Sequence, residues 1–217
     1  SPVSPDFEFF GWREVLPADA LPWFKNPERG YIQACGNPPW LAVDDAPLRA
    51  ENWPAWLMTD TDSYRARRVR QLLRTGQRSF SDMHSMIFDV VASAAVDLVP
   101  RLLTVADERK DWLPTAHPDL PAAIDVLRGW NYLADTNAPG MTFFHVWWNM
   151  VQSRSQRDLH GDPARYAFLL SGEPAAGDLA LEAAADAVRM MRNEFQSVSV
   201  PWGDVHRIER GGRDEAA

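Results

Sequence analysis

Two patterns divide the chain: frequent prolines up to about residue 60, and helical spacing of apolar positions beyond it. Pro17, Pro22, Pro27, Pro38, Pro39, Pro47 and Pro54 each fix φ and remove a backbone donor, which rules out a long helix there. Residues 1–60 therefore read as loop with short strands. The best strand is Tyr31-Ile32-Gln33-Ala34-Cys35, launched from the turn Asn26-Pro27-Glu28-Arg29-Gly30 and stopped by Gly36-Asn37-Pro38-Pro39.

From about Asp62 the period becomes helical. Tyr64 to Leu73 predicts one helix, ending near Gly76, and a longer segment runs from Ser81 to about Asp107. Ser79 with Asp82 three residues on has the form of a helix cap. Met83, Met86, Ile87, Val90, Val91, Ala94, Leu98 and Leu102 recur at helical spacing and predict a core face, and Pro100 predicts a kink or break just before it. Further helices are expected over Pro121 to Trp130, Met141 to Ser153, Pro163 to Leu170 and Leu179 to about Gln196. The run Phe143-Phe144-His145-Val146-Trp147-Trp148 is apolar nearly all round and reads as core. The tail from Val198 to Gly212 alternates again and predicts a return to a sheet. The whole is an α+β chain in three regions: loop and strand over 1–60, helices over 61–197, and a return strand and tail over 198–217.

Composition narrows the class. The 217 residues are 46% hydrophobic and 24% charged, with ten Trp and ten Phe, which suits a globular core or an aromatic cleft. A net charge of -8 would repel a phosphate backbone, so nucleic acid is not an expected partner. The single cysteine, Cys35, allows no internal disulfide. No apolar run reaches the length of a membrane span, and Ser1-Pro2-Val3-Ser4-Pro5 has no signal-like apolar core. The five histidines, at 84, 117, 145, 160 and 206, show no metal-ligand spacing.

The stretch Asn26-Pro27-Glu28-Arg29-Gly30-Tyr31-Ile32-Gln33-Ala34-Cys35-Gly36-Asn37-Pro38-Pro39-Trp40 resembles a motif of penicillin acylases, cephalosporin acylases and acyl-homoserine-lactone acylases. Five further pieces follow the same family's order. They are WREVLPADALP from Trp12, YRARRVRQLL from Tyr64, the apolar run from Asp82 to Leu103, Trp130-Asn131 with the aromatic helix Phe143 to Trp148, and the closing Val200-Pro201-Trp202-Gly203-Asp204-Val205-His206-Arg207. Six pieces in one order across nearly the whole chain make the resemblance specific.

The resemblance implies an N-terminal-nucleophile hydrolase with an αββα sandwich, this chain being a segment of the larger subunit of a heterodimer. In such enzymes the first Ser of a self-cleaved subunit attacks the amide, and its own α-amine, with a pKa near 8, takes the proton. An Asn side-chain amide and a backbone N–H hold the oxyanion. Carried over, these roles make Asn37 the oxyanion donor and Arg65 the arginine that orients it. In many relatives the Asn stands one position earlier, where this chain has Gly36, and a strict register would leave the turn without its amide donor. Ser1 is followed by Pro2 and lies too close to the later motifs to be the nucleophile, which is expected outside this chain. Cleavage of a β-lactam, an acyl-homoserine lactone or a lipopeptide, and a periplasmic or secreted location, are likewise implied by the resemblance alone.

Plainer readings stand beside these. Asn37 between Gly36 and Pro38 also suits an ordinary turn, and Arg65, Arg67, Arg68 and Arg70 also suit a solvated helix face. Trp40, Trp53 and Trp56 are candidates to line an acyl pocket, or to anchor a loop-rich region. No cofactor is expected beyond a structural calcium, for which Asp44 and Asp45, or Asp60 with Asp62, are weak candidates. The competing function is a non-catalytic helical module that binds an acyl or other hydrophobic ligand.

Overall fold

A computed structural model describes residues 15–54, 57–58, 62–74, 79–155, 163–211 and 213–216. Nine α-helices among them follow in chain order: α1 (Tyr64–Leu73), α2 (Phe80–Ile87), α3 (Ser93–Glu108), α4 (Leu113–Ala116), α5 (Leu120–Arg128), α6 (Pro139–Ser155), α7 (Pro163–Leu170), α8 (Pro174–Phe195) and α9 (Trp202–Val205). Strands β1 (Arg207–Arg210) and β2 (Arg213–Ala216) close the order as an antiparallel hairpin, Arg207 opposite Ala216. The chain is thus mostly helical α+β.

The core forms where α6 lies on α8. Helix α8 turns a face of small residues inward, with Ala180, Ala183, Ala184 and Ala187 buried, so the aromatic face of α6 approaches closely. Phe143 and Trp147 fill that space, and the indole Nε1 of Trp147 donates to the carbonyl of Ala180 at 3.0 Å. Each such side chain contributes about 2–3 kcal/mol by burial, and the bond to Ala180 gives the buried indole N–H its partner. Leu98 and Leu102 of α3 and Ile124 and Leu127 of α5 complete the cluster. The aromatic helix is core, as its sequence predicts.

Tyr64–Leu73 and Pro163–Leu170 are helices with the boundaries the sequence marks. The segment from Ser81 departs from expectation. Its break falls at residues 88–92, not before Pro100, which lies inside α3. There the backbone is drawn into an antiparallel bridge between Val91 and Leu133, with Ala134 N donating to Val90 and Ala92 N to Tyr132 at 2.8 and 2.9 Å. A helix cannot run through residues whose amides serve another strand. The acceptor that Pro100 leaves unused is the carbonyl of Val96, a residue exposed to water, so the proline is tolerated in place. In consequence Met83, Ile87 and Val90 are not core in this chain but are 43%, 76% and 42% exposed.

The strand expected over Tyr31–Cys35 is also corrected. Among the described residues of 15–54 there is no strand; short 3-10 turns occupy Ala18–Ala20, Pro39–Leu41 and Ala50–Asn52. Residues 31–34 are irregular, and their one ladder-like bond runs from Gln33 N to the carbonyl of Ala42 at 2.9 Å. At the other end, the tail makes its own exposed hairpin, and among the described residues it does not join a sheet with the first region. It is fastened to α6 instead. Gly203 N donates to Thr136 at 2.7 Å, and the Trp202 ring lies 5.4 Å from that of His145 on α6.

Candidate active-site turn

The segment Gln33–Ala42 is a loop tied at its base. Gln33 is buried; its backbone N–H reaches Ala42, and its side-chain Nε2 donates to the carbonyl of Leu41 at 2.9 Å. At the tip, Gly36 has φ +72°, a left-handed conformation that glycine adopts without the penalty of a side chain. Asn37 turns its Oδ1 back to accept from Cys35 N at 2.9 Å, while its Nδ2 donates to the carbonyl of Pro38 at 3.1 Å. One amide hydrogen of Asn37 is then left for another acceptor.

Helix α1 supplies the other half. Ser63 caps it, its hydroxyl accepting from Ala66 N at 3.1 Å, and this fixes where each arginine emerges. Arg65 donates through Nη2 to the carbonyl of Cys35 at 3.1 Å. Asn37 and Arg65 are therefore brought to the same residue, one on its N–H and the other on its carbonyl. Arg65 itself is exposed and has no carboxylate partner among the described residues.

Below them runs an ionic network. Arg70 is only 6% exposed; its Nη2 lies 2.7 and 2.8 Å from the two oxygens of Asp62, and its Nη1 donates to the carbonyl of Leu41 at 3.1 Å. Asp44 receives Arg74 at 2.6 and 2.8 Å, the hydroxyl of Tyr31 at 3.1 Å, and faces Arg70 at 3.5 Å. The hydrogen bonds from Arg74 hold the Asp44 carboxyl down at about 2. The arginine run thus pins the loop to the helix, where sequence spacing alone suggested a solvated face. The buried member of the run, Arg70, was not singled out by sequence, and its only signal there is its place in that basic segment.

The remaining sequence candidates sit apart from this arrangement or outside it. Trp40 and Trp53 are half-buried, and neither lines the apolar groove beside the turn. Trp56, Asp60 and Ser1 lie outside the described residues. Asp44 is taken up by arginines, and Asp45 faces Arg29 at 3.7 Å. Among the described residues no group of three or more His, Cys, Asp or Glu is placed to hold a metal. None of the described helices is long and apolar enough to cross a membrane.

The groove itself has a volume of about 880 Å³. Residues 29–35 form one wall, Val69, Leu72 and Leu73 of α1 another, and Met83, Met86 and Ile87 of α2 the third. It opens beside Cys35, so the turn and the groove share a wall.

The loop and α1 thus bring Asn37 and Arg65 to one backbone residue, Cys35. The model of the penicillin amidase family matches residues 2–213, and the chain belongs to that family of amide-hydrolysing acylases.

Proposed function

We propose that this chain is the part of an acylase that supplies the oxyanion donor, and that the attacking N-terminal Ser is carried on a segment outside it. The Ser hydroxyl gives its proton to its own α-amine as its oxygen adds to the amide carbonyl. The carbonyl oxygen becomes an oxyanion, which accepts from Nδ2 of Asn37. Arg65 fixes the main chain on which Asn37 is mounted. The tetrahedral intermediate collapses, the amine leaves with a proton, and water releases the acyl group from the Ser ester. The observation that carries this reading is the convergence of Asn37 and Arg65 on Cys35.

The acylated amine is a β-lactam, an acyl-homoserine lactone or a lipopeptide, and the complete enzyme has the αββα sandwich. The test is Asn37→Ala in the assembled acylase. Its kcat should fall about 10²–10³-fold with KM nearly unchanged. An unaltered kcat would remove Asn37 from the site. The open groove favours a second reading, in which the chain holds an acyl ligand without cleaving it. Titration of this chain alone with a fatty acid separates the two, since only the second requires saturable binding.

A further inference from the structure

The loop that bears Asn37 is held to α1 at two points. One is the tip, where Arg65 reaches Cys35; the other is the base, where Arg70 reaches Leu41. The two arginines are five residues apart on one helix, about 7.5 Å along its axis, so the helix fixes the spacing between tip and base. The carbonyl of Leu41 accepts twice, from Arg70 Nη1 at 3.1 Å and from Gln33 Nε2 at 2.9 Å. Between Leu41 and Asn37 lie only Pro38, Pro39 and Trp40, and the two prolines restrict φ there. A shift at Leu41 is therefore passed to Asn37 and is not absorbed on the way.

Arg70 has further anchors of its own. Asp62, just ahead of the helix, grips it with both oxygens, and Asp44, just after the loop, faces its Nε. Such a planar fork matches two carboxylate oxygens and a carbonyl together, which a lysine ammonium cannot do in the same geometry.

We propose that Arg70 is a positioning residue for the oxyanion turn, setting the place of Asn37 through the Leu41 carbonyl without touching substrate. This rests on the assignment of Asn37 as the oxyanion donor. A misplacement of about 1 Å is enough to slow a preorganised site by about 10²-fold, so the effect belongs in kcat and not in KM.

The experiment uses the assembled acylase with Arg70→Lys, Asn37→Ala and the two combined. Arg70→Lys should lower kcat about ten- to a hundredfold, with KM within about twofold. The double variant should be no slower than Asn37→Ala alone, because an arginine acting through Asn37 has nothing left to place. Additive losses, or a normal kcat in Arg70→Lys, overturn the proposal. Should Arg70→Lys fail to fold, Gln33→Met decides: it removes the other donor to Leu41 at similar volume and should give the same non-additive loss, and additive or absent losses there overturn the proposal equally. If Asn37→Ala is slow while Arg70→Lys and Gln33→Met are both normal, only the positioning role falls. If Asn37→Ala is itself normal, the oxyanion assignment falls and takes this role with it.

Discussion

Asp44 and Arg74 form a two-pronged ion pair, with Nε on Oδ2 at 2.6 Å and Nη2 on Oδ1 at 2.8 Å. The pair joins the segment just after the Gln33–Ala42 loop to the end of α1, thirty residues on. Because Arg74 stabilises the charged carboxylate, the folded-state carboxyl sits at about 2, below its ordinary value of 3.8. The contribution to stability is therefore complete above about pH 4 and is lost as the pH falls through about 2. Melting temperature should drop more steeply between pH 4 and pH 2 in the parent chain than in Arg74→Ala. Equal slopes would show that the pair does not set the titration of Asp44.

At Gly36, a built Cβ would stand 3.7 Å from Arg65 Nη2, an ordinary contact. The penalty of a side chain there comes from the backbone, whose φ is +72°. Gly36→Ala should cost about 1 kcal/mol, read as a fall of about 2–4 °C in Tm. Gly36→Asn should cost less, since Asn tolerates the left-handed region. In the assembled enzyme the same Asn variant distinguishes the two registers of the turn. With Asn37 as the donor, activity should stay near that of the parent, and a large gain would place the working amide at position 36.

Gly140, in the first turn of α6, meets Trp130 so closely that a Cβ would lie 2.3 Å from the indole Cγ. The indole cannot retreat freely, because its Nε1 donates to the carbonyl of Leu133 at 2.8 Å. Gly140→Ala should destabilise by about 1–3 kcal/mol. Thermal unfolding checks this, and a parallel loss of Trp130 burial should appear as a red shift in its fluorescence.

Arg68 and Asp89 pair at 2.6 and 2.9 Å, both about four-fifths covered, and fix the end of α2 against α1. Asp89→Asn should lower stability by about 1 kcal/mol and loosen the connection between α2 and α3. Hydrogen exchange at Ala92 and Ala134, whose amides hold the bridge beside it, should rise above that of the α6 core.

The helices were legible where local rules decide them. Ser79 caps α2 with its own side chain, and the Ala-rich composition of α8 needs no partner to be read, although the helix begins at Pro174, five residues before the expected Leu179. The break at residues 88–92 was not legible, because its cause is Leu133 and its neighbours, some forty residues away. The strand over Tyr31–Cys35 failed for a related reason. Pattern can say that residues suit a sheet, but among the described residues none lies alongside to pair with them. Of the site, Asn37 and Arg65 came from family resemblance. Arg70 stayed hidden since its burial depends on Asp44, Asp62 and Leu41 folding over it.

The groove has a colloidal consequence. Its wall residues Ile32 and Ile87, with Phe80 and Phe88 at the two ends of α2, are each more than half exposed, so the surface carries an oily patch that water wets poorly. At neutral pH the net charge of -8 keeps neighbouring molecules apart. Acidification towards the isoelectric point near 5.1 removes that repulsion while leaving the patch untouched. Light scattered by a solution of this chain should therefore climb steeply as the pH approaches 5, and Phe80→Ser with Ile87→Ser should flatten the climb.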